Sequence, residues 1–375
     1  MKRLFLAFSV LSCLLCSCGA QYRTVCVSNP SDVDRISETV EIPFSSLGIR
    51  GLSAENAVVR SSTGVEIPSQ TISDAEGGAL SLIFQTDMKA GASASFTVST
   101  GTPSVYDTLA RSRYVPERKD DYAYENNVVV GRIYGPALAS PRTFGQDIWI
   151  KNTPRFVFDA WLTVGNFHRN HGEGCDCYMV GKALGGGACA PLSGGKVCIG
   201  DNWSTQKRLS NGPLRTEAEF TYAAFPVGDL SATARRSLSL DANTRLVRWT
   251  TSFEAEGVDS LEVIVGAVVH DTVSFEFGQD YVSFTEWASD SKLEDPHEDG
   301  LISIGVVLAD RFKGTPAIID GHAGFILKVA GGETVEFWTA SGWNGGGVQS
   351  PEAWNAYMKA QAYAVNHPLT VEIVK

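Results

Sequence analysis

Basic residues are in short supply in this chain of 375 residues, where 31 Lys and Arg face 42 Asp and Glu for a net charge of −11. Such a surface repels phosphate backbones and anionic headgroups, which excludes nucleic acid as a partner and charge-driven membrane binding. Helical periodicity is almost missing. One stretch, SPEAWNAYMKAQAYAVNH at 350–367, has a Ser cap, a Pro in the first turn and apolar residues at helical spacing, so an α-rich fold is excluded. No internal repeat is evident, which sets aside a repeat architecture. Cysteine is present but not as a scaffold. Five cysteines follow Cys18, namely Cys26, Cys175, Cys177, Cys189 and Cys198. An odd number at these spacings fits no strong disulfide framework and leaves at least one thiol free, although a bridge within 175–198 stays open.

What is present points to a folded, exported protein. With 43% hydrophobic residues the chain can bury one large core or two, which rules out disorder. The opening MKRLFLAFSVLSCLLCSCGA has two basic residues, an apolar run and then small residues, the layout of an export signal too short to span a bilayer. Within it Leu15-Cys16-Ser17-Cys18-Gly19 reads as a lipobox with Cys18 as the lipidated residue; a plain secretory signal cleaved nearby is the alternative. Loss of Lys2 and Arg3 with residues 1–17 leaves 29 basic residues against 42 acidic ones, a net charge of −13. The expectation is a body in the cell envelope that meets the membrane only through its N-terminal lipid. CGAQYR lacks an acidic run, which favours the periplasmic side of the outer membrane.

Residues 22–100 contain short extended runs (TVEIPF, AVVRS, VEIPSQ, LSLIFQ, SFTVST) between Gly, Ser, Asp and Asn, a pattern that predicts a small antiparallel sandwich. GTPSVYDTLARSR at 101–113 is the expected linker. Strand signals then resume over 114–375, and ten or more long strands exceed a simple immunoglobulin-like sandwich. The chain is therefore expected to be all-β: a small N-terminal β-sandwich, then a large two-sheet antiparallel β-sandwich (a galactose-mutarotase-like supersandwich), with a short C-terminal helix. A concave sheet face bordered by loops suits an extended polar chain such as a glycan.

The densest chemistry lies in FHRNHGEGCDCYMVGKALGGG at 167–187. If 175–180 is a strand, Cys175, Cys177 and Met179 share one face and Asp176, Tyr178 and Val180 the other. A zinc site from His168, His171, Cys175 and Cys177 would then have odd spacing and thiols on an apolar face, so no metal is expected. The other face favours acid/base chemistry: His168, His171 and Glu173 arrive from the loop beside Asp176 and Tyr178, and a carboxylate can orient an imidazole. The competing structural reading has the histidines capping a turn and Asp176 satisfying backbone amides. Lys182 and the glycines at 185–187 follow, the latter able to bring backbone amides near a ligand.

Further candidates for holding substrate come from elsewhere in the chain. Arg118 and Lys119 could grip a carboxylate, against the simpler reading of a self-paired loop. Trp203 and Trp343 sit beside glycines where sugars could stack, though most of eight tryptophans belong to a core. Arg215 shares a face with Glu217 and Glu219, so an ion-paired ladder competes with binding. His322 precedes a strand and suits a structural role as well as a binding one. His270, His297 and His367 carry no supporting context.

NPSDVDRISETVEIP, YVPERKDDYAYENNVVVGRIYGPAL, the HRNHGEGCDCYMVGKALGGG block and LSNGPLRTEAEFTY together resemble the domain-of-unknown-function 4861 family of secreted Bacteroidota proteins. The most specific part is His171-Gly172-Glu173-Gly174 with Asp176, Tyr178, Val180 and Gly181. The family pattern implies large apolar residues where this chain has Cys175 and Cys177, which weakens a metal reading further. The resemblance also implies a setting beside pectin- and uronide-degrading enzymes.

Three functions compete. The first is β-elimination on a uronic-acid-containing polysaccharide or oligosaccharide, without a cofactor, with His168 or His171 as base, Tyr178 as acid, and Lys182, Arg118 or Arg215 on the carboxylate. The second is glycoside hydrolysis by Glu173 and Asp176, disfavoured because groups three apart in sequence do not naturally oppose one another across a sugar. The third is glycan binding without catalysis, which predicts scattered tryptophans on a groove and no tight cluster.

Overall fold

The computed structural model describes residues 21–74, 77–288 and 297–374. The export segment and Cys18 lie outside the described residues. Strands dominate the described residues and helices are few, as the alternating patterns require. In Tyr22–Ser28 the inward positions Val25 and Val27 are fully buried while their neighbours are not. This strand lies in a five-stranded sheet with Ser93–Thr100, Ala57–Ser61, Glu66–Ile67 and Thr370–Val374. A three-stranded sheet of Arg35–Pro43, Ala79–Met88 and Ser69–Ser73 packs against it over a core that includes Val40, Ile42, Phe84, Phe96 and Val98.

The sandwich boundaries differ from expectation in two places. Residues 370–374, expected within the large sandwich, pair instead with the first strand, Ile373 opposite Val25. Alternation marks a strand but says nothing of its partner. Residues 110–113, read as linker, open the strand Ala110–Val115, whose Ser112 hydroxyl is fixed by Tyr122 and Thr216.

The larger sandwich has an eight-stranded antiparallel sheet running, in spatial order, through Thr205–Ser210, Arg215–Val227, Leu230–Asp241, Leu246–Ala255, Val335–Trp343, Leu301–Leu308, Tyr281–Trp287 and Thr272–Phe277. Two five-stranded sheets face it. One contains Ala110–Val115, Asp121–Asn126, Val130–Ile133, Gln146–Lys151 and Gly174–Cys175; the other contains Lys196–Val197, Ala188–Ser193, Ser260–Val268, His322–Ala330 and Thr315–Ile319. All three contribute to one apolar core, with Tyr122 and Ile148, Val263 and Phe325, and Phe220, Trp249 and Phe337 among its members.

The run 185–187 stitches the two smaller sheets together. Gly186 N–H donates to Gln146 O at 3.0 Å and Val268 N–H to Gly185 O at 3.0 Å. A Cβ at 185 would stand 2.3 Å from Gln146 O and one at 186 would stand 2.0 Å from Ile148 Cδ1. These glycines bring backbone close to backbone, and the expected service to a ligand is replaced by sheet assembly.

Outside the sandwich, the helix Pro351–Asn366 matches the 350–367 reading. Ser350 Oγ accepts from Ala353 N–H, and Trp354 and Met358 bury on the sheet. A second helix, Phe158–Val164, covers the outer face of the sheet that carries Trp149, whose ring stacks on Phe158 at 4.6 Å and Phe167 at 5.3 Å. This cover makes a two-sided interior out of a sheet that would otherwise face water.

Candidate functional site

The covered face is the polar one. Val130–Ile133 places Arg132 opposite Ala123 and Asp147, and its guanidinium reaches three carboxylates. Nε donates to Asp147 Oδ2 at 2.7 Å, Nη2 to Asp176 Oδ2 at 2.9 Å and Nη1 to Asp121 Oδ2 at 3.4 Å. Aromatic rings close the rest, Tyr134 at 5.1 Å and Trp149 at 5.3 Å from Cζ. All four charged side chains are at most 3% exposed.

Three acids on one cation leave an excess of negative charge where water cannot screen it. Burial, followed by repulsion from Asp176, pushes Asp147 up to about 7 in spite of Arg132. Burial likewise lifts Asp121 to about 6 against the pull of Arg132. Burial also works against the guanidinium charge, but Asp176 and Asp147 more than offset it, so Arg132 stays ionised. The two directions agree once the three-to-one ratio is counted. Asp147 Oδ1 is buried and has no hydrogen-bond partner among the described residues, an environment that accommodates a protonated carboxyl better than a carboxylate.

A pocket of about 270 Å³ opens onto this cluster, lined by Arg132, Tyr134, Ser140, Pro141, His168, Asp176, Tyr178, Met179, Val180, Gly181 and Lys182. His168 is held at its mouth by a short backbone pairing, Asp176 N–H donating to Phe167 O at 2.9 Å. The imidazole Nδ1 lies 3.0 Å from Asp176 O and 3.6 Å from Asp176 Oδ2. Because a carbonyl only accepts, Nδ1 carries the proton and Nε2 the lone pair in the neutral ring. Tyr134 lines the pocket beside Arg132, and burial, then Asp147, raise its phenol well above the ordinary value. It stays protonated and can donate.

The structure therefore brings together His168, Asp176, Tyr178 and Lys182, though by a different backbone from the one expected. Only Gly174–Cys175 is strand, and 176–180 is irregular. Met179 consequently turns outward at 42% exposure while Cys175 and Cys177 are buried, so the expected sharing of one face by all three is corrected. Tyr178 forms a pocket wall, but its hydroxyl is sealed and unpartnered among the described residues, and this conformation withholds it from a ligand.

His171 and Glu173 are not brought to the pocket. His171 is exposed, and Glu173 is bound by Arg155, whose Nε donates at 2.8 Å and which holds the carboxyl below its usual range. Glycine conformations at 172 and 174 (φ +100° and +125°) turn the chain between the two histidines and Asp176, a reversal that residue spacing alone does not reveal. Arg118 lies over Phe167 at 5.7 Å, and Lys119 is exposed; neither lines the pocket. Trp203 and Trp343 are core residues, 4% and 7% exposed, the latter donating from Nε1 to Asp299 O at 2.5 Å. Arg215 joins the two sandwiches, bonded to Asp241 at 2.5 Å and Glu41 at 2.7 Å. His322 is buried and accepts from Leu184 N–H at 3.1 Å; burial lowers its pKa and keeps it neutral.

Arg132, Tyr134 and Asp147 escaped the sequence reading, and so did a dyad behind Tyr178. His270 Nδ1 is 2.6 Å from Glu286 Oε1, and its ring meets that of Tyr178 edge-on at 5.6 Å. Burial pulls the His270 pKa down, but the Glu286 hydrogen bond and charge carry it above the ordinary value. A usable signal did exist: DYAYEN carries Asp121 and Glu125, and QDIWIK carries Asp147 and Lys151, each pair on one face of its strand, and every residue of these strands and of VGRI is buried. Two charges on one face of an otherwise apolar and aromatic strand mark a polar interior.

A larger cleft of about 530 Å³ lies between the sandwiches, lined by Gln85, Asp87, Tyr106, Asp107 and Pro213 among others. Among the described residues its lining has no imidazole and no cation, so size does not make it the better chemical site.

Comparison with known proteins matches this arrangement to folds of similar build. A crystal structure of a protein in glycosyl hydrolase family 38 from Enterococcus faecalis aligns with TM-score 0.54 at 10% identity over 95% of this chain. An α-mannosidase from the same species aligns with TM-score 0.53, also at 10% identity and 95% coverage. This chain spans about half the length of each, 48% and 46%, and at such identity the likeness concerns the fold. Uncharacterized protein P7 of Formosa agariphila is 26% identical over 397 aligned positions that cover 99% of each chain. The family model described as Domain of unknown function (DUF4861) matches residues 27–371, and the chain belongs to that family.

Proposed function

We propose that the protein is a carbohydrate-active enzyme that cleaves uronic-acid-containing polysaccharide or oligosaccharide by β-elimination. One observation carries the reading: an imidazole, a protonated phenol and an ammonium group share a single pocket, as His168, Tyr134 and Lys182. In this reaction a base removes the proton on the carbon bearing the carboxylate, a C=C bond forms, the glycosidic C–O bond breaks, and an acid protonates the leaving oxygen. His168 Nε2 takes the proton, since Nδ1 is committed to Asp176 O. Tyr134 gives one to the leaving oxygen, replacing Tyr178, whose hydroxyl is sealed. Lys182, exposed at the rim, pairs with the substrate carboxylate. Arg132 is saturated by its three acids and holds Asp176, and through it His168, in place. The fold likeness to glycosidase structures is consistent with a sugar substrate.

A hydrolytic reading has one specific support, a carboxyl poised near 7 at Asp147 beside the ionisable Asp176. The Glu173–Asp176 pair does not serve it, because Glu173 is spent on Arg155. Incubation with pectic and other uronate glycans separates the two. Elimination gives new ultraviolet absorbance from an unsaturated uronide that His168→Ala abolishes; reducing sugar without that absorbance would replace elimination by hydrolysis, and retained binding with neither would leave a glycan-binding protein.

A further inference from the structure

Immediately behind the pocket, the same short segment that delivers Asp176 points two thiols the other way. Cys175 and Cys177 are 0% and 1% exposed, Asp299 is 4% exposed, and one donor atom from each lies within 4.8 Å of the other two. We propose that these three residues bind a thiophilic divalent cation of the zinc class, which clamps the 174–178 segment to the turn at 297–299.

The Cys175 thiol donates to Asp299, and that spacing also suits a shared ion. With bonds of about 2.3 Å to sulfur and about 2.1 Å to oxygen in a tetrahedral shell, donor sulfur and oxygen lie about 3.6 Å apart. Cys175 Sγ and Asp299 Oδ2 are 3.4 Å apart. Two thiols and a carboxyl are gathered out of contact with water, and a divalent ion bound there displaces the thiol protons. Mixed sulfur and oxygen donors favour zinc over calcium or magnesium, which take oxygen alone.

The donors are also held from outside. Gly174 has φ +125°, and a Cβ there would stand 1.9 Å from Ile150 O, so only glycine lets the strand turn Cys175 inward. Trp343 Nε1 donates to Asp299 O and fixes the turn. Three protein donors leave a fourth position for water. The site does not depend on the proposed sugar chemistry; its consequence for the pocket is positional, since Asp176 sits between the two thiol ligands.

The test uses the full chain, reduced, stripped with chelator and titrated with Zn²⁺ and, separately, with Co²⁺. One equivalent of zinc is expected to bind, to raise Tm and to protect both thiols from alkylation, while cobalt gives thiolate-to-metal charge-transfer absorption. Asp299→Asn should weaken zinc at least about tenfold, since loss of even an outer partner has that effect. Cys175→Ala/Cys177→Ala, which keeps small apolar side chains in the core, should bind none. The proposal is overturned if the reduced chain neither binds zinc nor gains thiol protection, if the double variant binds as well as the parent, or if the native protein contains a Cys175–Cys177 disulfide. Alkylation protection is read on the parent chain, so a variant that fails to fold does not remove the test.

Discussion

Replacing Asp147 with Asn tests whether the Arg132 cluster is governed by burial or by its ion pairs. Asn keeps the shape and an oxygen that accepts from Arg132 Nε, but it does not titrate. In the folded chain Asp147 is pushed up to about 7 from an ordinary 3.8. Between those values the native state holds a proton that the unfolded state has released, so stability falls as pH rises, by about 1.4 kcal/mol per pH unit. The contribution is whole below the ordinary value and gone once pH passes the folded one. Between about pH 5 and about pH 8 the slope acts over roughly two units, a loss on the order of 3 kcal/mol for the parent that the Asn variant escapes. Urea unfolding of both proteins at the two pH values measures it. The stability difference should move in favour of Asp147→Asn by that amount as pH rises, whatever its absolute size. A difference independent of pH, or one that moves in favour of the parent, would mean that Arg132 holds Asp147 as an ordinary carboxylate and that the three-acid argument is wrong.

Other consequences are as direct. Glu286→Gln should drop the His270 pKa below its ordinary 6.5, because burial then acts without the carboxylate that opposes it; an NMR titration showing no fall would remove Glu286 as the cause. Glu173→Gln should change stability by no more than about 1 kcal/mol and leave turnover near that of the parent, as expected of an exposed pair. Loss of turnover comparable to that in His168→Ala would return Glu173 to the site. Arg215→Met should destabilise by about 3 kcal/mol in urea unfolding, since Asp241 and Glu41 lose a shared and mostly buried cation; a loss below about 1 kcal/mol would show that the sandwiches are joined without it.

The strand-rich architecture and the C-terminal helix were legible because both rest on local periodicity. Val25 and Val27 alternate inward whatever strand lies beside them, and Ser350 caps its helix within one turn. The grouping of His168, Asp176, Tyr178 and Lys182 around one pocket was legible because they crowd one segment. Arg132 and Asp147 were not legible as partners, since they lie in different strands and become neighbours only through antiparallel register. Trp203, Trp343 and Arg215 misled for the converse reason: residue type and flanking glycines are visible in a sequence, whereas burial depends on what packs against them.

By itself, then, the sequence determined the period of its elements, the sign of its charge and the stretch in which ionisable side chains concentrate, all properties of neighbours along the chain. Tertiary structure alone decided that three aspartates from distant segments share one guanidinium, that Asp299 meets Cys175 across 124 positions, and that the last strand completes the first sandwich. Those outcomes follow from sheet register and core packing, which bring residues together by the surface they bury and are not encoded in spacing.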